Sequence, residues 1–88
     1  MTGKERARLR SLASTEDTII QVGKSGITPA LIASVDAALA ARELVKGRVL
    51  ENSMLTAREA CQQLAEACGA EPIQTIGTKF VLYRKKKD

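Results

Sequence analysis

The sequence predicts an α/β fold: one compact domain over residues 1–88, in the order α-β-α-β-α-β-β, with a four-stranded mixed sheet packed with helices. Three observations carry this. Two short β-branched or apolar runs, Thr18–Val22 and Leu44–Leu50, are each followed by a segment with apolar residues at helical spacing. Strands separated by helices imply parallel pairing in part of the sheet. The chain then closes on Ile73–Ile76 and Lys79–Tyr83, two strand-like runs joined across Gly77-Thr78, where glycine first in a two-residue loop suits a type II′ turn.

Each element has its own local signal. Residues 3–14 read as a helix with Ala7, Leu9, Leu12 and Ala13 apolar and arginines on the other side. Thr15-Glu16-Asp17 breaks it. Thr28 is a good N-cap, and Pro29 sits at the first helical position, where its missing N–H costs nothing. Leu31, Ile32, Val35, Ala38 and Leu39 continue that helix to about Arg42, and Glu43 ends it. Thr56 and Glu59 have capping-box spacing, so a third helix starts at Met54 or Ala57 and runs to Cys68. Gly69 is placed to cap it, with Pro72 just beyond.

Composition narrows the function classes. Hydrophobic residues make up 44% of the 88, enough for a folded core, whereas aromatics are only 2%, so Leu, Ile, Val and Ala must build it. Phe80 and Tyr83 read as packing residues, too few for a base-stacking platform. No apolar run reaches the length of a membrane span, and none follows the basic N-terminus, so a cytoplasmic setting is expected. Without histidine the usual acid–base residue is missing, and no carboxylate pair has a recognisable spacing, so no enzyme activity is expected. Cys61 and Cys68 stand seven residues apart on one helix, roughly 10 Å of rise, in phase as two buried small residues and too far apart for a disulfide. Neither a metal site nor a cofactor is expected.

The formal charge is +4, from 14 Lys and Arg against 10 Asp and Glu, and it is concentrated at the ends. Residues 4–10 hold four cations and one acid, and Arg84-Lys85-Lys86-Lys87 forms a basic C-terminal tail over 84–88. Basic ends on a small domain suggest a polyanionic partner.

The motif with chemistry in it is Gly23-Lys24-Ser25-Gly26, between the first strand and the second helix. Glycines let main chain come close to a ligand, Lys24 adds charge, Ser25 adds a hydroxyl, and the helix start adds N–H donors. A nucleotide-binding P-loop needs a glycine five residues before its Gly-Lys-Ser, and that place holds Thr18. The shorter pattern, Gly-x-x-Gly with a basic residue inside, is the kind that clamps a nucleic-acid backbone.

Taken together, Leu9–Ala13, Val22–Thr28, Ala37-Ala38-Leu39, Glu43–Lys46 and Ile76–Arg84 make the chain resemble the CRM domain family (chloroplast RNA splicing and ribosome maturation), in its bacterial stand-alone YhbY-type form. The resemblance implies an RNA-binding domain whose loop is Gly23, Lys24, Ser25 and Gly26, with Thr28 beside it. It further implies a basic surface drawn from Arg6, Arg10, Lys46, Lys79 and Arg84, and association with ribosomal RNA in precursors of the large ribosomal subunit. The competing expectation is a small protein-interaction adaptor whose basic ends recruit an acidic protein. Lys46 and Arg48 alternate with apolar neighbours and therefore share one sheet face.

Overall fold

Side-chain caps fix where the helices begin. In the computed structural model, which describes residues 1–86, α1 spans Gly3–Ala13, β1 Thr18–Val22, α2 Pro29–Arg42, β2 Leu44–Val49, α3 Ala57–Cys68, β3 Glu71–Ile76 and β4 Lys79–Tyr83. The Thr28 hydroxyl accepts from the Leu31 N–H at 3.1 Å, with Pro29 at the first helical position. Thr56 and Glu59 form a complete capping box, which places the start of α3 at Ala57. Gly69 caps α3 in the left-handed conformation. Glu43 ends α2 at φ 65°, a conformation that costs a side-chain-bearing residue on the order of 1–3 kcal/mol. Its carbonyl accepts from the Arg84 N–H and its carboxylate from the Lys86 N–H at 2.7 Å, which offsets the strain.

The sheet is four-stranded and mixed, in the order β1-β2-β4-β3. β1 and β2 run parallel with α2 as their crossover, and β4 pairs antiparallel with both β2 and β3. Gly77 has φ +58° while Thr78 stays on the negative side, the sign pattern of a type II′ turn. Three boundaries differ from expectation. α1 ends at Ala13, one residue early, with Ser14 as its C-cap. β2 ends at Val49, and the Leu50 N–H still bonds the Val22 carbonyl. β3 begins at Glu71 and contains Pro72, because β3 is an edge strand where a missing donor is tolerated and a register shift follows the proline.

Helices cover both faces. α2 and α3 lie on one, over Ile20, Val22, Val45, Val49, Phe80 and Leu82. α1 lies on the other, where Leu9 and Ala13 meet Leu44, Ile73 and Val81, with Tyr83 packed alongside. Ala7 and Leu12, expected to be core, are exposed. A lone helix on a sheet buries only a narrow stripe, and here that stripe is Leu9 and Ala13, one helical turn apart. The Phe80 ring fills the larger core by lying directly over Gly47: a Cβ at Gly47 would overlap ring atom Cζ and stand 2.7 Å from Cε2.

Both cysteines are buried in this core as free thiols, as their phase on α3 predicts. Burial pushes the Cys61 thiol up to about 11. The folded state therefore keeps a proton that the unfolded chain releases near 9. This contribution to stability is full below the ordinary thiol range and is lost as pH rises towards 11. Urea unfolding at about pH 8 and about pH 10.5 should show a steeper loss for wild type than for Cys61→Ala. Equal slopes would mean the thiol is not buried in solution.

Candidate nucleic-acid interface

The Gly23–Gly26 segment is a tight turn. The Gly26 N–H bonds the Gly23 carbonyl at 3.0 Å, leaving Lys24 and Ser25 exposed at the tip. Gly26 adopts φ +67°, a conformation that other residues enter at a steric cost. Gly23 is different: a Cβ there would sit 3.7 Å from Leu50 Cδ1, an ordinary contact, so the fold does not require glycine at that position. The turn, the start of α2 and Gln21 line a shallow depression of about 370 Å³.

The α2 N-terminus contributes less than a bare helix end. Thr28 serves as the cap, bonding the Leu31 N–H through its hydroxyl and the Ile32 N–H through its carbonyl. Pro29 has no donor, so the Ala30 N–H is the first-turn amide left to face the depression. The first turn holds no carboxylate to oppose an anion there.

On the α1 side of the sheet, a row that begins just before this turn carries two cations at its centre. Register places Gln21 beside Arg48, Arg48 beside Lys79, and Lys79 beside Ile76, so the four residues form one row across all four strands. Strand alternation puts their side chains on the face opposite Phe80 and Leu82. α1 packs on β2 and β3 and leaves this end of the face open. Arg10 and Lys46 flank the row, both lining a groove between α1 and the sheet. Arg48 joins the candidate residues although the sequence-based set lacked it; its alternation with Lys46 was the signal that pointed to it.

Other predicted cations have structural partners. The Arg6 guanidinium bonds the Pro72 carbonyl at 2.6 Å and pairs with Glu71 at 3.7 Å, pinning α1 to the start of β3. The Arg84 guanidinium reaches the Asp36 carboxylate at 2.6 Å and the carbonyls of Cys68 at 2.8 Å and Asp36 at 3.0 Å. It thereby ties the ends of β4 and α3 to α2. Because β4 runs antiparallel to β2, Arg84 lies at the opposite end of the sheet from the glycine turn. The structure therefore does not bring Arg6 and Arg84 together with Lys24. The expected tail is anchored as far as Lys86 by Glu43, and its remainder lies outside the described residues. Lys46 is intermediate: its ammonium donates to the Ala13 carbonyl at 3.2 Å and keeps further N–H groups for a ligand. Among the described residues the ion pairs are Arg6–Glu71 and Arg84–Asp36, so Lys24, Arg48, Lys79 and Arg10 stand without carboxylate partners.

A glycine turn beside a basic sheet face, in this order of elements, can be set against known families. The CRS1/YhbY (CRM) domain profile matches residues 1–84. The chain belongs to the CRS1/YhbY (CRM) domain family. This CRM domain is 38% identical over 88 residues to YqeI of Bacillus subtilis, described as a probable RNA-binding protein, covering 100% of this chain and 92% of that one. It is 33% identical over 89 residues to MJ0652 of Methanocaldococcus jannaschii, also described as a probable RNA-binding protein, covering 99% of this chain and 66% of that one. The solution structure of SAV1595 from Staphylococcus aureus matches with a TM-score of 0.83 at 42% identity, over 100% of this CRM domain and 92% of that chain. Among the described residues no helix is long and apolar enough to cross a membrane, and no group of His, Cys, Asp or Glu is placed to hold a metal ion.

Proposed function

We propose that this CRM domain binds RNA and acts in assembly or maturation of the large ribosomal subunit. The Gly23–Gly26 turn contacts the sugar-phosphate backbone, and the Arg48–Lys79 row with Arg10 and Lys46 extends that contact. The observation that carries this reading is the unopposed charge: Lys24 at the tip of a tight glycine turn, with Gln21 in the same depression and Arg48 and Lys79 next along Gln21's row, all three cations without carboxylate partners among the described residues. Relatives described as RNA-binding across most of this chain support it. The role we assign to the site is binding, through charge and hydrogen bonds.

Four phosphate contacts, from Lys24, Arg48, Lys79 and Arg10, give a log–log dependence of affinity on salt with a slope of roughly −3 on single-stranded RNA. Filter binding across a salt series measures it. In cells, crosslinking followed by sequencing of the attached RNA, scored across sucrose-gradient fractions, should enrich large-subunit ribosomal RNA in precursor fractions. A protein confined to the gradient top without RNA would instead favour the adaptor reading.

A further inference from the structure

A backbone clamp cannot tell one RNA from another, because phosphates carry no sequence information. The groove between α1 and the sheet has the chemistry the clamp lacks. It encloses about 330 Å³, at the small end of sites that accept small organic molecules. Its floor is apolar, built from Ala13 and Val81, with Ile76 at one side. Arg10, Lys46 and Lys79 stand around it, and no carboxylate among the described residues lines it. The occupant that matches is flat and apolar in its body, with anionic groups attached beside it.

Gln74 lines the same groove. Its pairing with Val81 places it on the α1 side of edge strand β3. A glutamine amide presents one acceptor beside two donors, the complement of a nucleobase edge. Of the other polar side chains here, Arg10, Lys46 and Lys79 are cations suited to phosphate, and Ser14 is already engaged. The Ser14 hydroxyl donates to the Ser11 carbonyl at 2.6 Å, and Lys46 holds the Ala13 carbonyl. Gln74 is half-buried, so an edge that pairs with it is shielded from competing water. The groove is also reached from the turn without leaving the basic row, since Lys79 belongs to both.

We propose that this groove holds one unstacked RNA base, with Gln74 reading its edge and Arg10, Lys46 and Lys79 holding the flanking phosphates. The proposal rests on the RNA-binding reading above and adds to it the place where base identity is sensed. Single-stranded RNA is commonly read in this way, through splayed bases hydrogen-bonded along their edges.

The test compares fluorescence anisotropy on eight-nucleotide homopolymers of A, C, G and U with that on an abasic ribose-phosphate oligomer of the same length. Wild type should bind its best homopolymer about tenfold tighter than the abasic chain. Gln74→Ala should lose most of that gap while keeping its thermal midpoint and salt slope. Lys24→Glu should weaken base-bearing and abasic chains alike. In NMR titrations the Gln74 side-chain amide should shift with the base-bearing oligomer and stay fixed with the abasic one. Equal binding of base-bearing and abasic chains by wild type would overturn the base site and leave the backbone clamp standing. A gap that survives in folded Gln74→Ala would do the same. Absence of binding to every oligomer, together with Gln74 shifts on addition of an acidic peptide, would overturn both readings in favour of a protein partner.

Discussion

Phe80→Ala should lower stability by about 3–5 kcal/mol, and Gly47→Ala should lower it by about 1–3 kcal/mol through the opposite fault. Phe80 is 1% exposed and is the largest fully buried side chain among the described residues. Its removal opens a cavity between the sheet and the α2–α3 layer. Alanine at Gly47 leaves the ring in place but drives a methyl group into it, since the Cβ position already overlaps the ring edge. β2 and β4 are hydrogen-bonded across this pair, so neither backbone can withdraw easily. The two substitutions should therefore be non-additive: the added methyl group has room once the ring is gone, and the double variant should be less destabilised than the sum of the singles. Urea unfolding of all four proteins checks this. Additive values would mean that the ring does not rest on Gly47 in solution.

Lys24→Glu should weaken RNA binding by at least about tenfold at low salt and reduce the magnitude of the salt slope by roughly 1, with the thermal midpoint nearly unchanged. Lys24 is exposed at the tip of its turn and has no structural partner among the described residues, so its replacement disturbs nothing inside the protein. Arg84→Ala is the converse control. It removes the bonds to Asp36 and Cys68 and should lower the midpoint, while RNA affinity in the folded protein stays within about twofold. The Asp36 carboxylate is more than half exposed, so most of that loss comes from the Cys68 carbonyl at the end of α3, left without its guanidinium donor, rather than from the ion pair. Unaltered affinity in folded Lys24→Glu would remove the turn from the interface. A large affinity loss in folded Arg84→Ala would mean that the interface reaches the other end of the sheet.

The contrast between these two cations shows what the sequence could reveal. Elements set by local chemistry were legible: Thr28-Pro29, the Thr56–Glu59 box, Gly69 and Gly77-Thr78 each carry their instruction within a few residues. Pairing β2 with β4 was not, because it depends on contacts that no local pattern encodes. Pro72 was placed beyond the α3 cap and before the third strand, because its tolerance inside a strand depends on β3 being an edge strand. In the same way the glycine turn was legible as a motif, whereas the membership of the basic surface was not. A positive charge in sequence does not reveal whether a carbonyl already holds it, as carbonyls hold Arg6 and Arg84. Arg48 was visible as a neighbour of Lys46 on one sheet face, whereas Gln74 became a candidate only when the register laid it on the α1 side with Val81.

The two glycines of the turn answer to different demands. Gly26 is tied to a backbone conformation that the fold imposes, whereas Gly23 has space for a methyl group and no left-handed geometry to preserve. Under selection for folding alone, Gly26 would persist, whereas Gly23 could be replaced by alanine. Only selection for what touches the turn from outside would hold both. A lineage that kept the domain as a scaffold and abandoned its ligand would therefore show the loss first at Gly23.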